Sequence, residues 1–215
     1  MNRRKFIYNS SIASLSVVGL NSCNILDKNV KISILHTNDV HSQIEPFPFN
    51  HNIYPDRGGF AKRANIFKGL MKINPNTLIF DAGDIFQGTP YFNFFQGELE
   101  LNLMKKMGYN AATIGNHEFD AGLDILKRNI LNNDFQFISS NYDFTNTALE
   151  GLVSRYKVYK KQNIKIGVFG LGIELNGLVN SSLYKETKYH DPIEISNEMT
   201  HKLKTEEKCD LIICI

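Results

Sequence analysis

Three apolar runs each end in a small polar cluster, and this repeated arrangement constrains the chain more than any other feature. Ile32-Ser33-Ile34-Leu35 leads to Asn38-Asp39-Val40-His41, Thr77-Leu78-Ile79-Phe80 leads to Ala82-Gly83-Asp84, and Ala111-Ala112-Thr113-Ile114 leads to Gly115-Asn116-His117-Glu118-Phe119-Asp120. Short apolar runs bounded by turn residues read as buried strands. Sheets interleaved with helices collect reactive groups in the loops at the carboxyl ends of their strands. Three polar clusters at three strand ends therefore predict one shared pocket.

The rest of the pattern fits such a sheet. Strands are predicted over 32–36, 77–80, 111–114, 136–139, 153–160, 165–171 and 210–215, with helices over 60–71, 99–107, 123–131 and 193–207. This alternation argues for an α/β fold with parallel strands covered by helices. The segment 45–57 carries Pro46, Pro48 and Pro55 with Phe47, Phe49 and Tyr54, and reads as a long ordered loop near the first cluster.

The amino terminus has a different character. Arg3-Arg4-Lys5 precedes an apolar run over 11–20 that is too short to cross a bilayer, which takes about 20 apolar residues. This reads as an export signal over 1–22. The paired arginines followed by Phe6-Ile7 resemble a twin-arginine signal, and Leu20-Asn21-Ser22-Cys23 resembles a bacterial lipobox. Acylation of Cys23 would anchor an exported protein, periplasmic or on the cell surface, to a membrane, with 23–30 as a linker. Losing Arg3, Arg4 and Lys5 leaves 21 basic against 22 acidic residues and a formal charge of −1. Bulk charge then gives no reason to expect a nucleic acid polymer as partner. Cys209 and Cys214, five residues apart on one predicted strand, would lie about 16 Å apart by the strand rise and read as buried and free.

The clusters supply recognisable chemistry. Residues two apart on an extended segment point the same way, so Asp39 and His41 can present a carboxylate oxygen and an imidazole nitrogen to one cation. Alone, the pair reads as a turn Asp beside a surface histidine, and its weight comes from the other clusters. Asp84 follows Gly83 at the end of a very apolar strand, where an unpaired carboxylate is costly and a cation would settle the charge. The structural alternative is an Asp bonded to nearby backbone amides. Asp81 reads as structural. Asn116 offers a neutral amide oxygen to a hard cation, or a helix cap; His117 would face a substrate, and Asp120 can hold its imidazole protonated.

These residues resemble the amino-terminal domain of the 5′-nucleotidase family within the calcineurin-like metallophosphoesterases. The resemblance runs over 31–215, through Ile34-Leu35-His36-Thr37-Asn38-Asp39-Val40-His41, Arg57-Gly58-Gly59-Phe60-Ala61, Asp81-Ala82-Gly83-Asp84, Gln87-Gly88-Thr89-Pro90 and Gly115-Asn116-His117-Glu118-Phe119-Asp120. It implies a four-layer αββα sandwich with a site for two divalent ions, manganese, zinc, iron or magnesium. Asp39 and His41 would hold the first, Asp84 both, and Asn116 the second, with His117 and Asp120 as the catalytic pair. The implied reaction is hydrolysis of nucleotide phosphomonoesters, or of another phosphoester, by metal-activated water.

The sequence departs from the family's pattern at its end. The further metal-ligand histidines and the nucleoside-binding domain that the resemblance implies downstream have no counterpart here, and His36, His51, His190 and His201 lack ligand-like spacing. The domain is therefore expected to be incomplete at its carboxyl end. Two other readings stand beside the nucleotidase: a thiosulfohydrolase of the same superfamily, and a truncated lipoprotein that keeps the fold without catalysis. His36-Thr37-Asn38-Asp39 favours the nucleotidase.

Overall fold

The computed structural model describes residues 29–215. The predicted export signal over 1–22 and the lipobox Cys23 lie outside them. The architecture below belongs to the compact unit Ile32–Ile215.

The first sheet is parallel and contains β1 (Ser33–Thr37), β2 (Thr77–Asp81) and β3 (Ala111–Ala112), in that order. Between β1 and β2 runs α1 (Phe60–Ile73); between β2 and β3 run α2 (Pro90–Phe95) and α3 (Glu98–Met107). A single 3-10 turn (His117–Phe119) follows β3, then α4 (Leu123–Asn133). A two-stranded antiparallel pair joins β4 (Tyr142–Asp143) to β7 (Lys188–Tyr189), with the one-turn α5 (Ser181–Tyr184) between them in sequence. The second sheet has the order β5 (Tyr156–Lys161), β6 (Ile164–Phe169), β8 (Leu211–Cys214); β5 and β6 form an antiparallel hairpin, β8 pairs parallel to β6, and α6 (Pro192–Thr205) precedes β8.

Strand alternation makes the four layers. Along β2, Leu78 and Phe80 point into a core shared with Ile138, Ile166 and Val168, so that the two sheets face one another. Ile79 points the opposite way, into the helical core of Phe67, Leu101, Met104, Leu123 and Leu126. On the far side of β6, Phe169 packs with Met199 and Leu203 of α6. The order is thus helices, sheet, sheet, helix, as the resemblance implies. Asp191 starts α6 by accepting hydrogen bonds from Ile193 N at 2.8 Å and Glu194 N at 3.0 Å, with Pro192 at the first helical position.

Two expectations change. The run 136–139 forms no ladder: Phe137 bridges Ala112 and Ile138 bridges Ser154, so it is an extended wedge between the sheets. Cys214 is exposed, because it sits on a strand at the rim of the second sheet; only Cys209 is buried, and burial raises its thiol pKa. No helix among the described residues is long and apolar enough to cross a membrane.

Candidate metal centre

The parallel register of β1 and β2 sets Thr37 beside Asp81, so both strands enter their loops at the same level. The loops then continue the ladder without strand geometry. Asp39 N donates to Gly83 O at 3.0 Å, His41 N to Asp84 O at 3.1 Å and Ser42 N to Ile85 O at 2.8 Å. Four non-glycine residues here have left-handed backbones: Asp39 (φ 50°), His41 (φ 44°), Ser42 (φ 51°) and Asp84 (φ 54°). Such conformations cost roughly 1–2 kcal/mol each and persist where the surroundings over-determine them.

The third loop reaches the second through glycine. A Cβ on Gly115 would lie 2.8 Å from Asp84 N and nearer still to the Asp84 carboxylate, and one on Gly83 would lie 2.9 Å from Gly115 N. Without side chains at both positions the loops touch. Asp84 Oδ1 accepts a hydrogen bond from His117 N at 3.0 Å.

These contacts bring the predicted residues together. His41, Asp84 and His117 each offer one ligand atom, and the three atoms lie within 4.8 Å of one another. Asp39 stands beside this group, its Oδ1 3.7 Å from His41 Nε2. The His41 and His117 rings meet edge to face with centroids 5.0 Å apart. His117 Nδ1 is 2.7 Å from Asp120 Oδ2, which leaves Nε2 as the free ring nitrogen. Asn116 precedes the 3-10 turn, and its side chain makes no cap hydrogen bond there. Carboxylate oxygen and imidazole nitrogen suit a borderline or hard divalent ion, so the donor set fits the implied metals. Asp84 combines both readings made of it, accepting a backbone amide while facing two imidazoles.

The remaining histidines have other surroundings. His36 is exposed in mid-strand. His51 is structural: its Nδ1 accepts from Tyr54 N at 2.9 Å, and its ring packs on Phe47 and Tyr54, which orders the 45–57 loop. A cavity of about 450 Å³ lies between that loop and the first cluster, lined by Asp39, His41, Phe47, Gly59 and Arg63 among others. A second, of about 520 Å³, holds His190 and none of the predicted site residues.

The sequence profile of calcineurin-like phosphoesterases matches residues 32–214. The chain belongs to this family. Among curated members it is 33% identical over 193 residues to a 5′-nucleotidase of Vibrio vulnificus, a match covering 88% of this chain and 34% of that protein. It is also 33% identical over 183 residues to a snake venom 5′-nucleotidase of Gloydius brevicauda, covering 81% of this chain and 31% of the other. The solved 5′-nucleotidase precursor of Thermus thermophilus superposes with a TM-score of 0.78 at 30% identity, covering 85% of this chain and 36% of that one. The chain spans about a third of the length of the relatives it matches.

Within this phosphoesterase fold, one residue given no role above fastens the site together. Glu118 is fully buried and accepts three backbone hydrogen bonds, from Gly115 N at 2.6 Å, Ile85 N at 2.7 Å and Asp84 N at 3.1 Å. It thereby ties the second loop to the third. Burial first, and the Asp84 carboxylate second, push its pKa up to about 8. The available signal was an acid between His117 and Phe119 in a turn led by glycine. Asp81 is structural as read: it accepts from Thr37 Oγ1 at 2.5 Å and Gly83 N at 3.0 Å, and burial raises its pKa to about 7.

Proposed function

We propose that this chain carries the cation-binding and acid-bearing part of a phosphoester hydrolase of the 5′-nucleotidase type, acting on nucleotide phosphomonoesters. The observation that carries the reading is the meeting of His41, Asp84 and His117 at three strand ends, with His117 held by Asp120. Asp39 and His41 would hold one divalent ion, Asp84 both, and Asn116 the second. When bound, such ions lower the pKa of water and draw charge from phosphoryl oxygens.

The chain's own residues supply the remaining chemistry. Asp120 accepts from Nδ1–H of His117 and orients Nε2 toward the place where a leaving oxygen would gather charge. Protonation there assists departure of the nucleoside alkoxide. The left-handed Asp39, His41 and Asp84 are held by backbone hydrogen bonds between the first and second loops, and a site fixed in this way needs little reorganisation.

Measuring bound metal together with turnover of a nucleoside monophosphate tests these roles. Asp84→Asn is expected to lose both, and His117→Asn to lose turnover while keeping its metal. Equal metal loss in the two variants contradicts the acid role and makes His117 a ligand. The basic start, apolar run and Cys23 support export and lipid attachment; Cys23→Ser should then abolish incorporation of labelled fatty acid, and unchanged labelling refutes the anchor.

A further inference from the structure

Behind the Asp39–Ser42 turn, two buried polar groups face one another without a hydrogen bond. Ser42 and Glu100 are both fully buried, and neither Ser42 Oγ nor either carboxyl oxygen of Glu100 has a partner. A buried orphan of this kind costs about 1–3 kcal/mol, so each one calls for a reason. Glu100 lies on the apolar face of α3 with Leu101, Met104 and Met107, where an aliphatic residue would pack at no such cost. Burial pushes its carboxyl up from the usual range, and the neighbouring Ser42 hydroxyl pulls it back.

The turn above needs an anchor. Asp39, His41 and Ser42 all hold left-handed backbones, and two of them are candidate cation ligands. Backbone hydrogen bonds to Gly83, Asp84 and Ile85 fix one edge of the turn, and Thr89 Oγ1 donates to Ser42 O at 2.7 Å. The fixing point on the helical side is the Ser42 side chain, which meets Glu100. A serine hydroxyl and a carboxyl can each donate to or accept from the other.

We propose that Glu100 is a positioning residue for the cation site, its carboxyl closing a buried hydrogen bond with the Ser42 hydroxyl that holds His41 aimed at Asp84. The inference rests on the cation reading above. Glu100 touches no substrate in this scheme; it acts through Ser42 on the adjacent His41. A glutamine, with the same length and one acceptor and one donor, should do the same work.

Cobalt(II) titration of the intact chain, followed by the visible absorption of the bound ion, tests this alongside urea unfolding of the metal-free protein. Ser42→Ala and Glu100→Leu are each expected to weaken Co²⁺ binding by about 10–100-fold, the usual effect of removing a group that orients a ligand. Glu100→Gln should stay within about threefold of the parent, and the double variant should lose no more than the worse single one, because both remove one interaction. Metal-free Glu100→Leu should be no less stable in urea, since an aliphatic side chain there avoids the cost of burying a carboxyl, which offsets the lost hydrogen bond. If Glu100→Leu does not fold, Ser42→Ala, which lacks one hydroxyl, carries the comparison. Parent-like Co²⁺ affinity in Ser42→Ala and Glu100→Leu overturns the inference while leaving the cation site intact. A parent protein that binds no Co²⁺, or binds it equally after Asp84→Asn, overturns the underlying reading and this inference with it.

Discussion

The first sheet, β1–β2–β3, and the second, β5–β6–β8, use the same alternation of buried side chains but treat charge in opposite ways. Among the described residues, the fully buried carboxyl groups are Asp81 in β2, Glu100 in α3 and Glu118 in the 3-10 turn, all on the side of the first sheet. Around the second sheet, charge stays at the surface in partly exposed pairs, Arg155 with Glu198 and Lys202 with Glu206. Backbone strain divides similarly. The first sheet's strand ends carry left-handed Asp39, His41, Ser42 and Asp84, whereas left-handed Gln162 sits in the turn joining β5 to β6 and Lys208 in the turn before β8. Apolar alternation alone can build a layer. The candidate cation site is built additionally from strained loops, and buried hydrogen-bond acceptors hold those loops in place.

This contrast can be broken most severely at Glu118. Glu118→Ala leaves three backbone N–H groups without an acceptor, so it should destabilise by on the order of 4 kcal/mol, at about 1–3 kcal/mol per buried orphan with partial relaxation. It should also abolish metal binding. Denaturant unfolding with a metal titration checks both, and retained metal affinity would remove Glu118 from the site. Leu203→Ala, in the core behind the second sheet, should cost about 3 kcal/mol by leaving a cavity. Metal affinity measured well below its unfolding midpoint should nevertheless match the parent; a loss there would mean that the two sheets do not divide the work.

Asp81 gives a smaller effect with a definite pH signature. Its folded-state pKa of about 7 lies above the ordinary 3.8, so the native state binds a proton that the unfolded state releases. Stability from this group is therefore complete below about pH 4 and falls as the pH rises toward 7. The total is of order 2–4 kcal/mol, since one pKa unit is about 1.4 kcal/mol. Asp81→Asn, which keeps an acceptor for Gly83 N and turns its amide NH2 to the Thr37 hydroxyl, removes the charge and should flatten the decline between pH 4 and 7. Urea midpoints across that range decide it, and an unchanged slope would place the titration elsewhere.

The strand ends were legible because apolar runs and polar clusters alternate sharply in the sequence, and His41, Asp84 and His117 come together at those ends. What escaped depends on tertiary contact. The 136–139 run is apolar enough for a strand, yet it is squeezed between the sheets and makes single bridges to Ala112 and Ser154. The β4–β7 pair is two residues long on each side and has no local period to detect. Glu100 left a faint trace, a charge four residues before Met104 on a stripe continued by Met107, but charges on helices are ordinarily solvated. Its burial is a property of the packed molecule. The role of His117 is likewise sharpened by packing, because one of its ring nitrogens falls among the candidate ligand atoms.

The central claim is that three loops of the first sheet meet to form one divalent-cation site. A crystal of this chain soaked in Mn²⁺ and measured for anomalous scattering tests it most directly. The account predicts an anomalous peak in coordination contact with His41 and Asp84, at roughly the 2.0–2.2 Å typical of nitrogen and carboxylate ligands of such ions. A map with no peak there, or with its strongest peak against the Asp143 and Glu150 carboxylates of the other cavity, would contradict it.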